Sequence, residues 1–181
     1  MEKQQLVFQG KIIKLTVDTV KLPNDKVAEL EIVHHPGGAA VVALDQEQRV
    51  CLLRQYRHAF GKWLWEIPAG KLDPGEAPLS TAQRELQEET GVHAKRWTAL
   101  GTMISSPGVF TERVHLYLAQ DISVTSPATE EHELLEVHWL PFAEALARAA
   151  AGDIDDAKSV IGLFRAINQL RVTKEFKMEK G

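Results

Sequence analysis

Three glutamates, Glu85, Glu88 and Glu89, are the residues whose type and spacing point most directly to chemistry. Residues three or four apart are neighbours on an α-helix, so a helix through this segment would gather the three carboxylates in one place. Like charges at this spacing destabilise a helix unless something neutralises them. Hard divalent cations such as Mg²⁺ take oxygen ligands, which carboxylates supply. The cluster therefore predicts a divalent-metal site, and the alternative interpretation is a solvated acidic helix face.

The residues around the cluster predict the helix that this site needs. Pro78 suits its opening turn, and Gly91 suits a left-handed cap at its end. Leu79, Ala82 and Leu86 fall at i, i+3 and i+7, so they share a face that can be buried. We expect that face to anchor the helix.

Elements on both sides of this helix predict a mixed α and β protein. The sequence pattern indicates extended segments at 6–22, 27–34, 39–44, 49–56, 97–104, 114–119 and 136–140, with helices at 142–151 and 156–170 and a charged, fraying tail at 171–181. Strands flanking a helix, with a second helical layer, give an α/β or α+β sandwich.

The first extended segments stand apart from the rest. Residues 27–34 alternate and follow the turn signal Pro23-Asn24-Asp25, which predicts a β-hairpin. A hairpin alone is marginally stable, so it needs a packing partner such as a second subunit. We expect an N-terminal arm at 1–36 and a main domain at 37–181.

Composition excludes several classes of partner. The 181 residues carry a formal net charge of −4 without a basic patch, which argues against nucleic acid. Cys51 is the single cysteine, so no internal disulfide forms, and a reducing compartment fits. The sequence shows no signal peptide and no membrane-spanning run, so we expect a cytoplasmic protein.

The glutamates lie within a longer pattern that resembles the Nudix box of the Nudix hydrolases. It matches at every defining position: Gly70, five residues, Glu76, seven residues, Arg84-Glu85-Leu86, one residue, Glu88-Glu89, one residue, Gly91-Val92. The resemblance implies the α/β/α Nudix fold with a mixed sheet between helices.

The same resemblance assigns metal ligands. By position, Glu85 and Glu89 match the family's metal-binding glutamates, Glu88 is a further ligand, and the carbonyl of Ala69 matches a backbone ligand. We expect Arg84 to pair with a carboxylate of the box and orient it.

Segments flanking the box are similar to those of ADP-ribose pyrophosphatases: HHPGGAAVVAL, RQYRH, WEIPAG and SSPGVFTER. Pro107 lies about where that subfamily carries its marker proline. The implied reaction is Mg²⁺-dependent hydrolysis of ADP-ribose to AMP and ribose 5-phosphate, with Mn²⁺ as a substitute, in a homodimer that swaps its N-terminal region. Alternatives are a broader hydrolase of GDP-mannose and ADP- or UDP-sugars, and a non-catalytic sensor of nucleotide sugars.

Substrate-binding candidates come from the segments before the box. Arg54 and Arg57 could bind phosphate, because a guanidinium matches phosphate oxygens, or could form surface salt bridges. Beside a Nudix box we favour phosphate binding for Arg57. Glu66 and Phe8 are further candidates, with Phe8 stacking on the base across a dimer.

Two regions offer a general base. In ADP-ribose pyrophosphatases an acidic loop before the last sheet strand supplies a base and, two residues on, a metal ligand, which by position are Glu131 and Glu133. The alternative for this loop is an acidic surface segment. Glu112 is a rival base that could instead hold the ribose.

Overall fold

The computed structural model describes residues 3–125 and 134–178, with side chains through residue 172. Its strands are β1 (Lys3–Gln9), β2 (Lys14–Lys21), β3 (Val27–His34), β4 (Gly38–Ala43), β5 (Arg49–Arg57), β6 (Lys62–Glu66), β7 (Ala69–Lys71), β8 (Val92–Ile104), β9 (Arg113–Val124) and β10 (Leu135–Pro141). Its helices are α1 (Pro78–Thr90), α2 (Phe142–Ala151) and α3 (Ala157–Met178).

Strand β4 lies at the centre of the fold. It belongs to a mixed sheet of order β7-β4-β9-β8, in which β4 and β9 are parallel, while β10-β5-β6 form an antiparallel sheet. Every residue of β4 is buried, because alternate side chains meet a helical layer on each face. Ala40 and Val42 pack in the cluster with α2 and α3, and Val41 packs in the cluster with α1. The predicted α/β/α sandwich with a mixed sheet is confirmed.

Helix α1 has the predicted bounds. It begins at Pro78, and Gly91 caps it with φ 69° while donating its N–H to Gln87 O. Ala82 and Leu86 are fully buried. Leu79, in the first turn, is 37% exposed, so its placement on the buried face was wrong.

The N-terminal region is a separate three-stranded antiparallel sheet of order β1-β2-β3. The prediction of one extended segment over 6–22 was wrong, because the chain turns at Gly10, whose N–H donates to Ile13 O. All of β1 is exposed. The sheet meets the rest of the chain at Val33, which exchanges backbone hydrogen bonds with Val109 and Thr111.

The last helix also differs from expectation. Helix α3 continues to Met178, eight residues past the predicted end at Leu170, so the backbone from 171 to 178 is helical rather than frayed. In the part of the chain that the structure describes, no helix is both long and apolar enough to cross a membrane.

Candidate active site

Two cavities meet at strand β7, which follows the turn at Pro68. The carboxylate cavity, about 590 Å³, is lined by Ile12, Gln55, Arg57, Ala69, Gly70, Lys71, Asp73, Arg84, Glu85, Glu88 and Glu89. The lysine cavity, about 320 Å³, includes Lys158, Asp156, Glu112, His35, Ser105 and Met103 in its lining. The two cavities share part of their lining, so a single ligand can reach from one cavity into the other. The shared residues are Arg57, Ala69, Gly70 and Lys71.

Gly70 lets the box helix approach this strand. A Cβ built on Gly70 would lie 1.9 Å from the carboxyl carbon of Glu85 and 2.0 Å from its Oε1. Glycine is therefore required here by the close approach of a side chain. The Glu85 carboxylate is held directly against the β7 backbone.

Glu89 is fixed from the same strand. It is 4% exposed, and its Oε2 accepts a hydrogen bond from the N–H of Ala69 at 3.0 Å. A buried carboxylate with such a bond has a set orientation. This contact joins the end of α1 to the residue whose carbonyl is the expected backbone ligand.

Arg84 donates hydrogen bonds to several glutamates around the carboxylate cavity. Its Nη1 donates to Glu85 Oε1 at 2.7 Å and to Glu88 Oε2 at 3.0 Å, while its Nε and Nη2 donate to the two oxygens of Glu76. The predicted pairing with box carboxylates is thus present. Hydrogen bonds from Arg84 and Thr81 lower the pKa of Glu76 to about 2. With Asp73 Oδ2 at 3.9 Å, the Arg84 guanidinium has four carboxylate neighbours among the described residues.

The donor set fits a hard divalent cation. Three glutamates, Glu85, Glu88 and Glu89, line one cavity, and the absence of a side chain at Gly70 leaves room for the Glu85 carboxylate there. Within 3–125 and 134–178, no three His, Cys, Asp or Glu side chains already converge on one metal position. Arg84 bridges Glu85 and Glu88 instead, so binding of a cation would require these carboxylates to reorient.

A second cluster lies beside the lysine cavity. Arg57 Nε and Nη2 donate to the two oxygens of Glu66 at 2.6 and 2.7 Å, and Lys158 also donates to Glu66 Oε2. Burial alone would raise the pKa of Glu66, but the Arg57 hydrogen bonds and the charge of Lys158 outweigh it and lower that pKa to about 2. Glu66 is only 2% exposed. It therefore holds two cations in place and has little surface for a ligand.

The start of α3 is tied to the turn before β7. Asp156 Oδ2 accepts hydrogen bonds from the N–H and the Oγ of Ser159, as an N-cap residue does. The fully buried Ser159 in turn accepts from the N–H of Ile67 at 2.8 Å. Lys158 also meets Asp156 at 3.1 Å, so its ammonium is fixed at the cavity wall.

The remaining predicted residues fall in different places. Arg54 lies over the ring of Trp63, with its guanidinium carbon 5.8 Å from the centroid, and does not line either cavity. It is three residues from Arg57 on a strand, so the two side chains point to opposite faces. Phe8 is 53% exposed on β1 and is also outside both linings.

Two predicted residues, Glu131 and Glu133, lie outside the described residues. Glu112 lines the lysine cavity and does not line the carboxylate cavity. His35 lies beside it, with Nδ1 3.3 Å from Glu112 Oε1.

Sequence reasoning missed Lys158, Asp156, Ser159 and His35. Lys158 and Ser159 each lie 92 residues beyond the residue that they contact near the end of β6, which is Glu66 for Lys158 and Ile67 for Ser159. Ile12 was also missed, although it lines the carboxylate cavity. The Asp-Ala-Lys-Ser run at the start of a helix was the available signal, since Asp and Ser are common at N-termini.

An excess of carboxylates beside a pair of fixed cations is the arrangement expected of a metal-dependent phosphoanhydride hydrolase. The NUDIX domain model matches residues 34–160, more than half of the chain. The chain therefore belongs to the NUDIX domain family and is a Nudix diphosphatase. Enzymes of this family generally use a divalent metal ion.

Individual proteins are similar over nearly the whole chain. An ADP-ribose pyrophosphatase of Bacillus subtilis is 38% identical over 98% of this chain and 95% of its own length. A methanol dehydrogenase activator of Bacillus methanolicus is 40% identical over 89% and 88%. A crystal structure of an ADP compounds hydrolase superposes with a TM-score of 0.82, covering 95% of this chain and 94% of that one; at 23% identity it shows the fold alone.

Proposed function

We propose that this protein hydrolyses the diphosphate of ADP-ribose to AMP and ribose 5-phosphate in a Mg²⁺-dependent reaction. The observation that carries the proposal is the junction of the two cavities at Arg57 and β7, with metal-type ligands on one side and polar groups on the other. A diphosphate at this junction would place one phosphoryl group against the carboxylate cavity. The B. subtilis relative named for this activity supports the same substrate.

The box residues would hold the metal. Glu85, Glu88, Glu89 and the carbonyl of Ala69 are the proposed ligands, with Glu133 as a further one and Mn²⁺ as a substitute for Mg²⁺. A divalent ion held by these residues would supply charge neutralisation for the phosphate and activation of the attacking water. Arg84, through its bonds to Glu85 and Glu88, would guide these carboxylates between the free and the metal-bound arrangement.

The second cluster would bind the diphosphate. Arg57 retains N–H groups beyond the two that Glu66 accepts, and Lys158 lines the same cavity. Because Glu66 fixes both cations before the substrate arrives, little ordering is needed on binding. Glu66 thus acts on the substrate through Arg57 and Lys158.

Glu112 is better suited to the sugar than to the water. A general base must reach the nucleophile beside the metal ligands, yet Glu112 lines the other cavity. We assign Glu112 to hydroxyl groups of the second sugar, and Glu131 to the role of base.

The N-terminal sheet supports a homodimer. Several apolar side chains of this sheet are more than half exposed, which is a poor arrangement for a monomer in water. They are Leu6, Val7, Phe8 and Val27. We propose that the arm at 1–36 packs on a second copy and that 37–181 forms the catalytic domain. Light scattering should give a dimer, and a monomer at all protein concentrations would contradict this. Cytoplasmic location and the lack of nucleic acid or membrane partners stay predictions from the sequence.

A substrate panel tests the proposed function. Relatives of nearly equal identity carry different names, so the substrate has to be measured. We would assay ADP-ribose, GDP-mannose, ADP-glucose, UDP-glucose and NADH with Mg²⁺. Preferred turnover of ADP-ribose supports the proposal, and comparable turnover of all sugars would replace it with a general nucleotide-sugar hydrolase. Binding without turnover would make the protein a sensor.

A further inference from the structure

One ring nitrogen of His35 has two neighbours of opposite hydrogen-bonding character. The N–H of Gly37 donates to His35 Nδ1 at 3.0 Å, and Glu112 Oε1 lies 3.3 Å from the same atom. A single nitrogen either accepts through its lone pair or donates through a proton. His35 can therefore bond Gly37 in one state and Glu112 in the other.

The backbone sets the position of this ring relative to Glu112. The N–H of His35 donates to Thr111 Oγ1 at 3.0 Å, and the ring lies 5.3 Å from that of Phe110. The backbone of Val33 also bonds Val109 and Thr111, so the loop before β9 is fastened to the end of β3. The side chains of His35 and Glu112 are 14% and 21% exposed, so water screens their contact only in part.

His35 Nδ1 is the side-chain neighbour that can orient the Glu112 carboxylate. In the described ranges 3–125 and 134–178, no other hydrogen bond or ion pair to the Glu112 carboxylate is present. Glu112 lines the lysine cavity, which provides room for a sugar beside it. An unanchored carboxylate would have to be ordered each time a ligand bound.

We propose that His35 is a positioning residue that fixes Glu112 for the hydroxyl groups of the second sugar. A hydrogen on Nδ1 would be donated to Glu112 Oε1, which leaves the other carboxylate oxygen available to the ligand. The inference rests on the proposed hydrolysis of a nucleoside diphosphate sugar.

Two substitutions at position 35 separate this role from packing. His35→Leu keeps a similar volume without a polar atom, whereas His35→Asn places an amide about where Nδ1 lies, because both atoms are one bond from Cγ. We would measure kcat and KM for ADP-ribose, and the inhibition constant of ADP, which lacks the second sugar. The exposed His93→Leu on β8 is the matched control.

The expected result is selective loss of sugar binding. His35→Leu should raise KM for ADP-ribose about tenfold with kcat within about twofold, the scale of one charge-assisted hydrogen bond. The inhibition constant of ADP should not change, and His35→Asn should recover most of the loss. His35→Leu added to Glu112→Gln should cost nothing further, because both act through one contact.

Three results would overturn the inference: an unchanged KM in His35→Leu, equal weakening of ADP and ADP-ribose, or no rescue by Asn. If the wild-type protein binds ADP-ribose without hydrolysing it, calorimetric dissociation constants for ADP-ribose and ADP give the same comparison, although the proposed hydrolysis has then failed. A wild-type protein that neither binds nor hydrolyses nucleotide sugars contradicts both proposals.

Discussion

Two arginine–glutamate clusters flank strand β7, and they differ in how their charges balance. In the carboxylate cavity one guanidinium, that of Arg84, lies within 4 Å of four carboxylates, those of Asp73, Glu76, Glu85 and Glu88. Beside the lysine cavity two cations, Arg57 and Lys158, meet two carboxylates, Glu66 and Asp156. The first cluster therefore carries an excess of negative charge, and the second is neutral.

This difference indicates which ligand each cluster accepts. The first gains from an added cation, because like-charged carboxylates repel one another. In the second cluster the charges balance, so its N–H donors can bind an anion without repulsion from surplus carboxylates. Substitutions in each cluster should therefore fail in different ways.

The largest effect is expected from Glu85→Gln. Loss of one charged ligand should lower kcat/KM for ADP-ribose by roughly 10³-fold, since metal stabilisation of the transition state is worth several kcal/mol. Steady-state kinetics with added Mg²⁺ measure this. The exposed Glu47→Gln is the control, and an active Glu85→Gln would remove this residue from the metal site.

Gly70→Ala should affect the same cluster by steric overlap alone, without changing any charge. Its Cβ would overlap the Glu85 carboxyl group, which has to move. We expect about a 10²-fold loss of activity, comparable to displacing a ligand-orienting group, with the fold retained. The control is Gly108→Ala, whose added Cβ meets no atom within 4 Å. Equal activity in both variants would contradict the close approach.

Lys158→Ala should weaken substrate binding and spare the chemical step. Loss of one charge-assisted hydrogen bond predicts a rise in KM of about tenfold. Lys62→Ala removes an exposed lysine that meets only Asp155 in the described residues and should behave as wild type. A fall in kcat at constant KM would instead place Lys158 in the chemical step.

The smallest effect is a pH-dependent one in the second cluster. The pKa of Glu66 is lowered from 4.5 to about 2, so its stabilising contribution is present above pH 4.5 and is lost as the pH falls toward 2. We expect Glu66→Gln to be less stable at neutral pH by about 1 kcal/mol, allowing for screening at the partly exposed Arg57. Urea unfolding should show that the difference in unfolding free energy between the wild-type protein and Glu66→Gln becomes smaller in acid. A gap that widens in acid would contradict the assignment.

The sequence predicted the carboxylate cluster because its spacing is local. Glu85, Glu88 and Glu89 share one helix, and Pro78 and Gly91 mark its ends. Their partner Arg84 lies on the same helix, so no long-range contact was needed to bring it there. The central buried strand was likewise evident from its continuous apolar run.

Arg57 and Glu66 of the second cluster were candidates from the sequence, but their pairing with Lys158 could not be predicted because packing across the fold brings it there. Lys158 reaches Glu66 only after α3 docks against the sheets, and His35 meets Glu112 only after the loop before β9 fastens to β3. The turn at Gly10 was not predicted either, because β-branched residues near it favour a continuous strand.

The most direct test of the account is Mn²⁺ binding measured by electron paramagnetic resonance, with Mn²⁺ standing in for Mg²⁺. Wild-type protein and Glu47→Gln should bind with equal affinity, and Glu89→Gln should bind at least about tenfold more weakly, because it loses a charged oxygen ligand. Unchanged affinity in Glu89→Gln would show that the carboxylate cavity is not the metal site.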